Sequence, residues 1–150
     1  MNRKNFQELC KKGKLKEIKQ FYFDNPNINI SENNEIAFQL ACSYDNLEVA
    51  KWLLQIKSDI DISADNEYAF QTACIKGHLK VAKWLLEVKP NINISACDKW
   101  AFKLSFENEH LKVAKWLLQH NTQNYYIFAK KNKIYNKKFY NKKQQIAKQI

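Results

Sequence analysis

The sequence predicts an all-α protein, a solenoid of stacked helix-turn-helix repeats joined by short hairpin loops. Three observations predict it. Leu47-Glu48-Val49-Ala50-Lys51-Trp52-Leu53-Leu54 returns 32 residues later as Leu79-Lys80-Val81-Ala82-Lys83-Trp84-Leu85-Leu86, and after a further 32 as Leu111-Lys112-Val113-Ala114-Lys115-Trp116-Leu117-Leu118. Phe6, Phe38, Phe70 and Phe102 keep the same step, as do Leu15, Leu47, Leu79 and Leu111; Cys10, Cys42 and Cys74 keep it with Phe106 as the fourth member. The two glycines, Gly13 and Gly77, and the two prolines, Pro26 and Pro90, are each two periods apart. Self-similarity at a fixed period of this length marks a stacked repeat array.

The register assigns residues 1–120 to the array, and its elements follow in order. Residues 4–23 are an eroded first copy. Phe6, Leu9, Ile18 and Phe21 keep its apolar face, and Lys11, Lys12, Lys14, Lys16 and Lys19 coat the other, as a terminal capping repeat requires. Full copies span about 32–63, 64–95 and 96–120. In each, Ile36–Tyr44, Tyr68–Lys76 or Trp100–Asn108 has the three- and four-residue apolar spacing of a short helix. Asp45-Asn46, Gly77-His78 or Glu109-His110 makes a tight turn, with Gly77 suited to a left-handed cap. A second helix follows over Leu47–Gln55, Leu79–Glu87 or Leu111–Gln119. Asn27-Ile28-Asn29-Ile30-Ser31 and its copies at 59–63 and 91–95 alternate with period two, which is extended chain too short for a sheet strand. Large aromatics favour burial, so Trp52, Trp84 and Trp116 are read as core or groove filling on the second helices. Beyond residue 120 the register fails. Phe128, Tyr135, Phe139, Ile146 and Ile150 still share one helical face, so residues 121–150 are read as a Lys-rich C-terminal cap or tail.

Composition narrows the function classes. The chain has 150 residues and a net charge of +10. Residues 1–23 hold seven Lys/Arg against two Glu, residues 24–120 ten Lys against thirteen acids, and residues 121–150 eight Lys and no acid. The array is thus mildly acidic between two basic ends. Arg3 is the one arginine; with so little bidentate guanine-reading chemistry, sequence-specific DNA recognition is disfavoured. No apolar run approaches the ~18 residues of a membrane span, and the start has no signal-like apolar region. A reducing cytoplasm is the expected location, with the nucleus as the alternative. Cys10, Cys42 and Cys74 recur on successive helices, and stacked helices sit ~8–10 Å apart. That is too far for disulfides, so they are expected free and buried. Cys97 stands at a loop tip where Asn33 and Asp65 stand in other copies. No zinc spacing, phosphate-binding glycine loop, nucleophile elbow or convergent carboxylate pair occurs. No enzyme, cofactor or metal site is therefore expected. His78 and His110 are expected to brace their turns, and His120 ends a helix, where a cation is favourable.

Asn66-Glu67-Tyr68-Ala69-Phe70-Gln71-Thr72-Ala73, the Gly77-His78 turn, Leu79–Leu86 and Asn91-Ile92-Asn93 resemble the ankyrin repeat. That family has a Thr-Pro-Leu-His-x-Ala opening, a Gly-His turn, a Val-Val…Leu-Leu second helix and an Asp-Val-Asn finger. The resemblance covers residues 4–120, with departures. The repeat is one residue shorter than usual, and Ile36-Ala37, Tyr68-Ala69 and Trp100-Ala101 replace Thr-Pro. The loop glycine is missing, leaving Asn34, Asn66 and Asp98 to take unusual backbone angles. These features are similar to those of divergent ankyrin proteins of large DNA viruses and intracellular microbes, which would place the protein in a host cytoplasm.

Residues that repeat identically serve stacking; residues that differ on an exposed surface are free for recognition. The differing ones are the loop tips and the outer first-helix positions, with Glu32, Glu35, Asp65, Glu67, Asp98 and Lys99 at the tips and Tyr44, Ile75 and Lys76 on the helices. The resemblance implies that tips and first helices form a concave, partner-gripping surface. The expected function is a monomeric, non-catalytic scaffold or adaptor for another protein, one with a basic and an apolar element. The alternative is nucleic-acid or anionic-surface binding through the basic ends.

Overall fold

The computed structural model describes residues 3–120, and the side chains of all of these but 3, 4, 95–99 and 118. Among the described residues there are eight helices and no strand. They are α1 (Arg3–Lys12), α2 (Leu15–Asp24), α3 (Glu32–Ser43), α4 (Leu47–Ile56), α5 (Ala64–Ile75), α6 (Leu79–Val88), α7 (Ile94–Glu107) and α8 (Leu111–His120). They alternate as first and second helices of four copies, so the N-terminal copy is a complete helix pair. The expectations for residues 121–150 fall outside the described residues.

The core follows the period. Phe6, Phe38, Phe70 and Phe102 are buried, as are Val49, Val81 and Val113 and the leucines Leu53, Leu85 and Leu117. Cys10, Cys42 and Cys74 are buried. Small residues floor the contact between consecutive first helices: Ala37, Ala41, Ala69, Ala73, Ala101 and Ser105 are buried. Consequently α1, α3, α5 and α7 pack closely in a row, each against the next, while consecutive second helices make no comparable contact. The first helices therefore form one continuous layer of the stack.

The tryptophans fill space between copies. Trp52 meets Tyr22 edge-on at 5.6 Å between ring centroids. Trp84 lies 6.2 Å from Phe38 and Trp116 6.3 Å from Phe70, each phenylalanine belonging to the preceding copy. Trp116 is buried and the other two half-buried. Burial of one such side chain stabilises by about 1.5–3 kcal/mol, and the repeat multiplies the contact. The extended fingers behave as their alternation requires: Ile30, Ile60 and Ile92 turn inward while Asn29, Asp61 and Asn93 face water.

The loop tips differ from expectation. Single unusual residues were expected at Asn34 and Asn66. Instead Asn33, Asn34 and Glu35 all have positive φ (53°, 54°, 63°), and so do Asp65, Asn66 and Glu67 (54°, 57°, 63°). Each tip is one left-handed turn inside the spans of α3 and α5, and right-handed helix begins at Ile36 and Tyr68. Left-handed residues with side chains are costly, so something must hold the turn. The backbone N–H of Glu35 donates to the Ser31 carbonyl at 3.4 Å and that of Glu67 to the Ser63 carbonyl at 3.0 Å. Gln39 and Gln71 donate back to the Asn34 and Asn66 carbonyls at 2.8 and 2.6 Å.

Candidate functional site

The first-helix face carries the candidate surface, and its rigidity comes from both ends of each helix. At the turn end, the last carbonyls of a helix have no intrahelical donor. The next copy supplies one. Asn46 precedes α4 but does not cap it; its Nδ2 donates to the Cys10 and Lys11 carbonyls at 2.9 and 2.7 Å. His78, one period later, has its Nε2 3.1 Å from the Ser43 carbonyl. A carbonyl only accepts, so Nε2 carries the proton. Asn108 Nδ2 donates to the Ile75 carbonyl at 3.3 Å. His78 was expected to brace its own turn; its side chain instead links to the preceding copy and makes no cap bond to its own helix.

The glycines have a second reason to be glycine here. Both have positive φ, +69° at Gly13 and +83° at Gly77. Asp45 and Glu109 adopt the same backbone at the equivalent positions (61°, 65°), so the left-handed angle alone does not demand glycine. Close approach does. A Cβ on Gly77 would sit 2.6 Å from His110 Nδ1, and one on Gly13 would overlap the Asn46 side chain.

At the tip end, side chains bridge copies. Asp65 accepts from Asn34 Nδ2 and Gln39 Nε2, both at 2.9 Å. Those two bonds, that from Gln39 first, hold its carboxyl below the ordinary range. Glu35 and Glu67 turn inward and are only 7% exposed. Glu67 takes the Ser63 hydroxyl at 2.7 Å on Oε2 and the Asn93 N–H at 3.3 Å on Oε1. Glu35 takes the Asp61 N–H at 3.4 Å, but its Oε2 and the Ser31 hydroxyl have no partner. Of the tip residues singled out from sequence, Asp65 is exposed, Glu32 is half-buried, and Glu35 and Glu67 are internal struts. The side chains of Cys97, Asp98 and Lys99 lie outside the described set.

The helical candidates come together. Tyr44 is 43% exposed, and Lys76 Nζ stands 4.1 Å from its ring centroid. Ile75 is half-buried beside Lys76. Lys11 Nζ, from the preceding copy, lies 5.0 Å from the same ring. Sequence comparison passed over Lys11, although the register places it in step with Ser43, Ile75 and Glu107, a position already recognised as variable. It also passed over the exposure of Tyr68 (45%) and Trp100 (60%) at the start of their helices. Their signal was the replacement of Thr-Pro by aromatics. Thr72, on the same face, is fixed in place: its hydroxyl donates to the Tyr68 carbonyl at 2.8 Å, so the 2.7 Å contact with Ser43 is donated by Ser43.

Burial works against activation of the Cys10 and Cys42 thiols. It pushes the Cys10 thiol up to about 12 and raises that of Cys42 as well, away from the thiolate form that reacts. Among the described residues no group of three or more His, Cys, Asp or Glu is placed to hold a metal, and no helix is long and apolar enough to cross a membrane.

No curated protein matches the chain. The family described as ankyrin repeats (3 copies) matches residues 6–96 and again residues 41–129. With four helix pairs in step and most of its length within those matches, the chain belongs to the ankyrin-repeat family.

Proposed function

We propose that this protein is a non-catalytic adaptor that binds another protein on its first-helix face. Ankyrin repeats are in general protein–protein interaction modules. The observation that carries the reading is the contrast between a buried, repeated frame and the first helices, on which Tyr44, Ile75, Lys76, Tyr68 and Trp100 all differ from their counterparts and keep exposed surface. Exposed aromatics on a rigid support are the chemistry of binding hot spots. Asp65 and Glu32 extend the surface toward the tips, and Asp98 and Lys99 belong to the equivalent tip of the last copy. The protein acts as a monomer in the cytoplasm.

The test is affinity capture with the wild type and with a Tyr44→Ala/Ile75→Ser/Lys76→Ala variant of unchanged helical content. Loss of the captured protein supports the reading, and unaltered capture overturns it. A second reading rests on exposed Lys16 and Lys19 on α2 together with the eight lysines of residues 121–150. It has the basic ends bind nucleic acid or an anionic surface. Binding would then fall steeply with salt and be lost on deleting residues 121–150; a flat salt response excludes it.

A further inference from the structure

We infer that the partner presents an acidic peptide segment, with carboxylates that engage Lys11 and Lys76 on either side of the Tyr44 ring. The inference rests on the proposed first-helix binding face and deepens it by giving the partner's chemistry. It also reverses the charge expected from the sequence. Acidic tips suggested a basic partner, but Glu35 and Glu67 are internal, and Asp65, although exposed and charged, is tied to Asn34 and Gln39 at the tip end of the helices. The charges held against the Tyr44 ring are positive.

Lys11 and Lys76 come from the copies before and after Tyr44, and both ammonium groups sit against its ring, at 5.0 and 4.1 Å. Neither forms an ion pair with a carboxylate among the described residues. Other lysines along the array do: Lys12 with Glu8, Lys51 with Glu48, Lys57 with Asp59 and Lys103 with Glu107. Two like charges are thus held around one ring. Each cation–π contact offsets that repulsion by about 0.5–1 kcal/mol at an exposed site. A carboxylate supplied from outside removes the repulsion and keeps the ring contact, so complementarity favours an acidic ligand. Half-buried Ile75, next to Lys76, offers an apolar contact beside the charged pair.

The other occupants fit less well. Residues 121–150 carry eight lysines and no acid, and a second copy of the chain carries a net charge of +10; both repel this site. A nucleic acid carries a phosphate on every nucleotide and would meet the exposed carboxylates of Asp45, next to Tyr44, and Glu107 on the same row of helices, whereas a peptide can place its acids opposite Lys11 and Lys76 alone.

The experiment selects random displayed peptides of about 12 residues on the full chain, then measures the affinity of the selected peptides. Expected sequences carry paired Asp or Glu beside an apolar residue. Replacing their acids by amides, or making Lys11→Ala or Lys76→Ala in the protein, should weaken binding about tenfold. Lys11→Glu/Lys76→Glu should select basic peptides instead. Selected peptides without acidic enrichment that still need Tyr44 overturn this inference and leave the binding face standing. Peptides indifferent to Tyr44, Ile75 and Lys76, or no selection at all, overturn both. A single-stranded oligonucleotide that binds more tightly than any selected peptide, and loses affinity in Lys11→Ala, overturns the choice of an acidic peptide.

Discussion

The two ends of each first helix solve the same problem in different ways. At the turn end, one left-handed residue reverses the chain, and the next copy's Asn46, His78 or Asn108 closes onto the exposed carbonyls. At the tip end, three left-handed residues in succession are held by a buried glutamate and a bridging aspartate. The turn end satisfies backbone that every helix leaves open, so copies can differ in the donor, Asn or His, without changing the joint. The tip end stabilises a backbone that is costly in itself. Its parts are accordingly more exacting, and the two described tips are not equal: Ser63 reaches Glu67, whereas Ser31 and Glu35 Oε2 stand unpartnered.

The comparison can be broken most severely at Gly77. Gly77→Val puts a branched side chain at φ +83° and against His110; a loss of about 2–4 kcal/mol is expected in chemical denaturation. Adding His110→Ala should recover the part due to overlap and leave the part due to the backbone. If Gly77→Val is as stable as the wild type, close approach is not what requires glycine.

At the tips, Glu67→Ala leaves the Ser63 hydroxyl and the Asn93 N–H without their acceptor and should cost about 1–3 kcal/mol. Glu35→Ala should cost less, because one of its oxygens is already unpaired. Equal losses would remove the distinction between the tips. Asn46→Ala, at the turn end, should cost about 1 kcal/mol. Its mark would be faster amide hydrogen exchange confined to the α1–α2 copy, and uniform exchange would mean that the joint is not local.

The smallest effect is the pH response of Asp65. Its folded carboxyl titrates below its unfolded value. The stability it contributes is therefore complete above the unfolded value and is lost as pH falls through the folded one. Asp65→Asn should lower stability slightly at neutral pH and converge with the wild type in acid, so that the acid limb measured by denaturant midpoint is flatter. An unchanged acid limb would count against the bridge to Asn34 and Gln39.

Much of the fold was legible because a repeat states its own register. Once Phe6, Phe38, Phe70 and Phe102 are aligned, every helix pair, the turns and the inward isoleucines follow from spacing. The tips were legible only in part. A missing glycine pointed to asparagine at positive φ, and Asn34 and Asn66 do adopt it. That Glu35 and Glu67 would join them depends on backbone N–H groups of the finger two segments away, and no local propensity records those. The site was half visible. Of the proposed residues Tyr44, Ile75 and Lys76, all read as departures between copies, Tyr44 and Lys76 are in contact. Lys11 was missed because its partner ring lies on the next copy, beyond the reach of helical spacing.

The sequence by itself determined the family, the number of helix pairs, the core residues and the exclusion of obvious catalytic motifs, because each of these depends on residue type at a fixed period. Tertiary structure decided which charges are free. Glutamates placed alike on paper become buried struts, and two lysines from different copies converge on one tyrosine. Stacking sets those distances, and electrostatic energy depends on distance and burial rather than on order along the chain.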